Sequence, residues 1–205
     1  MRYKGAMTLT LESPASNVLQ AIRERHSVGK VRQEPPAREL IAELLDAATR
    51  APNHRLTQPW RFFVAAGDAR LALGEAQAEA QISHESADAD RARMIREIAR
   101  NKVLRAPVII SVAVEPSSDP KVPEIEEICA TAAAVQNMLL AAHALGLAAV
   151  WRTGDTCASP EIRALYGLSD RAQVIGFVYV GIPEEVGVIK SRKDAGELTT
   201  WLGWS

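Results

Sequence analysis

This chain is short of several things, and each shortage excludes a class of protein. Only two cysteines, Cys129 and Cys157, occur in 205 residues, too few for a disulfide framework that a core of this size does not need. Their neighbours, Ile128-Cys129-Ala130 and Thr156-Cys157-Ala158, show no CxxC or metal-ligand spacing, so both read as small buried or half-buried thiols. The four histidines, His26, His54, His84 and His143, are scattered, and no metal site is expected. Charge of one sign is missing too: 24 basic and 25 acidic residues leave a formal charge of -1, with no basic tail to attract a nucleic acid or a membrane. The longest apolar stretch, Leu139 to Trp151, is broken by His143 and Gly146, so no membrane-spanning helix is expected. The first ten residues contain Arg2 and Lys4 but no apolar run long enough for a signal peptide, which makes the cytoplasm the expected compartment. There is no GxGxxG, no GxxxxGK[ST], no GxSxG and no HExxH, so the usual dinucleotide-fold, phosphate-loop, hydrolase and zinc-peptidase readings have no support.

What is present is an ordinary globular balance, with 47% hydrophobic and 24% charged residues. No repeat or linker divides the chain, and one domain over residues 1–205 is expected, with 1–12 and 184–205 as peripheral arms. Ser13-Pro14-Ala15-Ser16-Asn17 is a helix-start signal, followed by a short apolar face at Val18, Leu19 and Ile22 and an end near Arg25. From Pro36 to Ala51 the pattern Leu40, Ile41, Leu44, Leu45, Ala48 is helical. Trp60 to Ala65 is β-prone, with Gly67 as the turn. Residues 68–82 read as an Ala-rich helix, Ser83 to Asp90 as an exposed mobile loop, and Arg91 to Leu104 as a helix through Met94, Ile95 and Ile98. Pro107 to Val114 is a buried strand. A long helix is expected from Pro123 to Leu145, with Ile125, Ile128, Ala132, Val135, Leu139 and Ala142 on one face and Gly146 as its stop. Leu147 to Trp151 is a third strand, Ser159-Pro160 to Gly167 a capped helix, and Val174 to Ile182 a strand buried on both faces. About four strands among this much helix predict an α+β fold rather than a doubly wound sheet.

Three polar clusters interrupt this pattern. Arg23-Glu24-Arg25-His26-Ser27 sets cations and a hydroxyl at the end of the first helix, where they suit a phosphate as well as the helix dipole. The run from Arg50 through Asn53, His54 and Gln58-Pro59-Trp60 leads from a helix through a donor-rich turn into a strand, fit to hold a polar ring edge or simply to make the turn. At Trp151-Arg152-Thr153-Gly154 an apolar strand runs out into an aromatic plane, a cation and free amides.

In order along the chain, these clusters resemble the FMN-dependent nitroreductase family. The matching segments are Arg25-His26-Ser27, Ala51-Pro52 with Gln58-Pro59-Trp60-Arg61-Phe62, Ala106-Pro107-Val108-Ile109-Ile110, the Ala-rich helix to Gly146, Trp151-Arg152-Thr153-Gly154, and Gly176-Phe177-Val178-Tyr179-Val180-Gly181-Ile182-Pro183, from about residue 18 to 183. They are most similar to its small single-domain branch of NAD(P)H nitroreductases. The resemblance implies a central, mostly antiparallel sheet of about four strands flanked by helices, and a homodimer with flavin sites at the subunit interface. It implies that Arg25, His26 and Ser27 meet the ribityl-phosphate end of FMN, that Arg50 and His54 reach the flavin of the other subunit, and that Trp151, Arg152 and Thr153 lie along the ring edge. Ala141, Ala142, His143, Ala144, Leu145 and Gly146 are the implied contacts for NADH or NADPH.

With hydride accepted at flavin N5, no catalytic Ser, His or Cys is expected. Donor and acceptor, a nitroaromatic, a quinone or another electron-poor small molecule, would take turns by a ping-pong mechanism. The chain departs from the family's pattern in three places. Leu56 stands where the family often has Asn, so that one flavin contact is lost or supplied by Asn53 or His54. His26 replaces a frequent second Arg, and the late phosphate cation is any of Lys190, Arg192 or Lys193. A non-redox flavin-binding or storage protein, a specialised member such as a dehalogenase, and a cofactor-free interaction protein are the competing readings.

Overall fold

The computed structural model describes residues 14–185 and 187–203. Four strands, β1 (Trp60–Ala66), β2 (Val108–Val114), β3 (Ala148–Arg152) and β4 (Gln173–Gly181), form one sheet in the order β1-β2-β4-β3, each pair antiparallel. Among the described residues six helices accompany it: α1 (Pro14–Glu24), α2 (Arg38–Thr49), α3 (Ala69–Glu85), α4 (Ala89–Val103), α5 (Glu124–Ala144) and α6 (Pro160–Tyr166). The α+β expectation holds, and so does the antiparallel sheet.

Alternation along the strands divides the core into two layers. Val108, Ile110 and Val112 of β2 face α2 and α5, packing with Leu44, Ala48, Ala134, Met138 and Ala142. Ile109 and Ala113 face the other way, toward Leu73 of α3, Val103 of α4 and Ile162 of α6, with Phe177 and Tyr179 of β4 in the same layer. All seven residues of β2 are buried because the strand is central and covered on both faces. Small residues on α5 let α2 approach closely enough for the Asn137 amide to donate to the Ala47 carbonyl at 3.2 Å. On α6, the Ser159 hydroxyl accepts from Ile162 N–H and Gly167 closes the helix in the left-handed region at φ 61.

The structure corrects four details. Ser83 to Asp90 is not a loop: α3 continues to Glu85, Ser86 ends it at φ 49, and Asp88 already caps α4 by accepting from Arg91 N–H at 2.9 Å. The polar composition of this stretch belongs to paired side chains, Gln81 with Glu85 at 2.6 Å and Arg91 with Glu85 at 2.9 Å. The buried stripe of α5 is rotated from the expected one. Ile125 is 62% exposed while Glu127, Ala130, Ala134 and Met138 turn inward, because the helix is apolar on more than one side and its period alone cannot choose. On α4, Met94 and Ile98 are exposed and Ala92, Ile95, Ala99 and Val103 are buried. Cys129 is exposed, whereas Cys157 is buried. Burial pushes the Cys157 thiol pKa up, which keeps that thiol protonated and inert.

Candidate functional site

The site is built where the chain leaving α1 meets the ends of β3 and β4. After Glu24 the backbone is extended, and Val28 and Val31 anchor it in the α3/α6-side core layer. Arg32 N–H donates to the Ile182 carbonyl at 2.9 Å and Glu184 N–H to the Lys30 carbonyl at 3.2 Å, so residues 30–32 continue the sheet beyond β4. This fixes Arg25, His26 and Ser27 just upstream. His26 Nδ1 donates to the Glu24 carbonyl at 2.8 Å, while its Nε2 is buried without a partner. Gly187 lies against the same ring: a methyl group there would overlap Nε2 and come within 2.7 Å of Cδ2.

At the end of β3 the alternation sends Trp151 and Arg152 to opposite faces. The Trp151 indole packs on the α2/α5-side layer and its N–H donates to the Ile175 carbonyl at 3.3 Å. Arg152 crosses the Tyr179 ring, its guanidinium carbon 5.4 Å from the ring centroid. A Cβ built on Gly29 would sit 3.8 Å from Arg152 Nη2, so the first and third clusters of the sequence converge at one corner. Thr153 and Gly154 are exposed and lead into a 3-10 turn, Asp155–Ala158. Beside them opens a cleft of about 1050 Å³, walled by α3, α4, the end of β3 and that turn, with Tyr179 among its lining residues. Burial raises the Tyr179 pKa, while the nearby Arg152 and Arg105 guanidiniums oppose the rise.

The second cluster sits elsewhere in the chain, with the α2/α5 layer. Arg50 pairs with Asp46 at 2.8 Å, and His54 Nδ1 lies 2.5 Å from Glu126 Oε2 on α5. Asn53 Oδ1 accepts from Gln58 N–H at 2.9 Å. Arg55, Leu56 and Gln58 all hold positive φ, at 53°, 54° and 48°, in a region that costs a non-glycine residue roughly 1–3 kcal/mol. Such conformations concentrate where a loop must present particular groups. This one borders a shallow groove of about 400 Å³ formed with Ile125, Cys129 and Ala133.

The 141–146 segment is the closing turn of α5. Ala142 is fully buried, and the Leu145, Gly146 and Leu147 N–H groups are used in the turn, leaving the exposed Ala144, Leu145 and Gly146 as the surface a ligand could touch. Lys190, Arg192 and Lys193 are all exposed, on a tail that begins beside His26 at Gly187. Sequence reasoning did not find Gly187, Tyr179, Lys102 or Arg105. Tyr179 was the legible one, a polar-tipped residue in the otherwise apolar Val174–Ile182 run.

The chain belongs to the nitroreductase family, whose model matches residues 22–182. It is 32% identical over 168 residues to YdjA of Escherichia coli (strain K12), a protein with the provisional name NAD(P)H nitroreductase, covering 82% of this chain and 89% of that one. The fold is similar to the crystal structure of a nitroreductase-like family protein from Bacillus cereus, with a TM-score of 0.80 and 25% identity over 96% of this chain and all of the other. A provisionally named nitroreductase from Desulfovibrio desulfuricans, crystallised in complex with FMN, matches at TM-score 0.71 and 31% identity over 95% and 99% of the two chains.

Proposed function

We propose that the protein is an FMN-dependent oxidoreductase that passes hydride from NADH or NADPH to flat, electron-poor acceptors such as nitroaromatics and quinones, in turn at one site. The observation that carries this reading is the corner itself. Two clusters more than a hundred residues apart in sequence meet beside an open cleft, in a chain whose family includes an FMN-bound relative.

The donor set fits the cofactor. Neither Arg25 nor Arg152 has a carboxylate partner among the described residues, His26 Nε2 is an unpartnered buried nitrogen, and Ser27 is exposed. Cations and hydroxyls without acids are what a phosphate monoester requires. In this reading Arg25, His26 and Ser27 hold the phosphate, and Arg152 and Thr153 orient the ring edge with free donors. When bound, FMN supplies the acceptance and release of hydride at N5. The residues at the corner bind and orient, and none is needed as a nucleophile.

The active unit is a homodimer. Val18, Leu19 and Ile22 on α1, Ile125 on α5, and Val188, Ile189, Leu198 and Leu202 on the tail are all exposed, large apolar side chains that a partner subunit would cover. A two-fold axis that covers these faces lets Arg50 and His54 serve the neighbour's site. The chain acts as one domain in the cytoplasm, and no described helix is long and apolar enough to cross a membrane.

Anaerobic absorption spectroscopy tests the reading. The FMN-reconstituted protein is expected to lose its oxidised flavin bands on addition of NADH or NADPH and regain them with a quinone. Parallel double-reciprocal plots should follow in steady state. Bands that survive both donors would leave a flavin-binding protein without nicotinamide turnover.

A further inference from the structure

The wall of the cleft that faces Arg152 has no role in the reading above. It is formed by α3 and α4, from which Gln77, Gln81, His84 and Lys102, with Arg105 just beyond α4, line the same cavity as Trp151, Arg152 and Thr153. Tyr179 lies under both walls. It is 7% exposed, has no hydrogen-bond partner among the described residues, and feels the guanidiniums of both Arg152 and Arg105.

Three acids also border the cleft, Glu85, Asp155 and Glu161. Glu85 is engaged by Arg91 at 2.9 Å and Gln81 at 2.6 Å. No carboxylate pairs with Lys102, Arg105 or Arg152 among the described residues, whereas Arg91, Arg93 and Arg96 of α4 each carry an ion pair. A concave wall with unpaired cations concentrates anions, because the field is focused where water is partly excluded.

We propose that Lys102 and Arg105, which line the cleft together with Tyr179, form an oxyanion-binding wall, and that the protein selects flat acceptors carrying a carboxylate over uncharged acceptors with the same ring. This rests on the hydride-transfer reading for its consequence, but the anion site can be measured without turnover. A carboxylate held there places its aromatic ring in the cleft beside Thr153 and Arg152, at the corner assigned to the flavin edge.

Two measurements test it on the FMN-reconstituted protein. The first is calorimetric titration with benzoate and with benzamide, neither of which is reduced. Wild type is expected to prefer benzoate, Arg105→Gln to lose ~2- to 5-fold of that preference, the range expected for one exposed charge pair, and Arg105→Lys to recover part of it. The second is the ratio of kcat/KM for 4-nitrobenzoate to that for its methyl ester with NADH as donor, which should fall by a similar factor in Arg105→Gln and Lys102→Gln. Equal binding of benzoate and benzamide, or a benzoate preference untouched by both variants, overturns the proposal. So does a shift in the FMN-to-riboflavin affinity ratio or in the NADPH-to-NADH ratio in place of the acceptor ratio, since either assigns the cations to a cofactor phosphate. Failure of NADH and NADPH to reduce the protein would defeat the hydride-transfer reading alone, and the benzoate titration would still decide the anion wall.

Discussion

Gly176→Ala is the sharpest perturbation the structure offers, because it strikes the support of the site without replacing a proposed ligand contact. Gly176 lies in β4 with φ 149, opposite Val112, where the β2–β4 register shifts. A Cβ there would overlap the Trp151 indole nitrogen and come within 2.7 Å of both Trp151 Cδ1 and the Arg152 carbonyl oxygen. The indole could swing away only by giving up its bond to the Ile175 carbonyl and its place in the core. The Arg152 carbonyl belongs to the neighbouring strand and can retreat only if β3 shifts from β4.

Three costs therefore add. Holding alanine at that φ costs roughly 1–3 kcal/mol, overpacking about 1–3 kcal/mol, and the lost indole bond about 0.5–1.5 kcal/mol. The sum is ~2.5–7.5 kcal/mol, a large part of the ~5–15 kcal/mol that holds a typical domain. Urea unfolding of the apo-protein followed by far-UV circular dichroism reads this directly. Tryptophan fluorescence and the FMN dissociation constant report on Trp151 and on Arg152–Thr153. Gly67→Ala is the control: φ is 56 there but nothing lies within 4 Å of a Cβ, so only the backbone cost of about 1–2 kcal/mol applies. A Gly176→Ala loss no larger than the control's, with FMN affinity intact, would refute the argument.

Two further substitutions separate binding from stability. Gly187→Ala drives a methyl group into the His26 ring and within 3.0 Å of Val28 Cγ2. It is expected to weaken FMN binding several-fold by equilibrium fluorescence while shifting the urea midpoint little, because the imidazole rather than the core must give way. Tyr166→Phe removes the partner of the fully buried Ser111 hydroxyl, now bonded at 2.6 Å, and should cost about 1–3 kcal/mol in urea unfolding. Adding Ser111→Ala should recover much of that loss, since no orphaned polar group is then left, and a double variant no more stable than Tyr166→Phe would count against the account.

The fold was largely legible because its elements carry strong local signals. Val108 to Val114 has to be a central strand, being apolar on both faces, and Ser159-Pro160 to Gly167 carries both of its own caps. The failures share one cause, namely that local composition cannot say which neighbour will arrive. Ser83, His84 and Glu85 look like loop residues until Arg91, on the next helix, pairs with Glu85. Ile125 looks like core until α2 and β2 select a different side of α5.

The site divides in the same way. Arg25-His26-Ser27 and Trp151-Arg152-Thr153 were readable as clusters because their donors are adjacent in sequence, but their convergence depends on the Val31–Pro183 bridge and the β3–β4 register. Tyr179 reaches the cleft only because it pairs with Val150, and Arg105 only because the antiparallel α3–α4 hairpin returns over the sheet. The Gln58 turn shows the limit most plainly. Three non-glycine residues at positive φ leave no mark in the sequence, although they set where His54 points. Within one subunit that histidine closes on Glu126 of α5 rather than on the corner with Arg152. The proposed dimer therefore needs the strained loop for a geometric reason: it holds a polar group out on the α5 face, the same side as the exposed Ile125, where a two-fold partner would bring its own flavin.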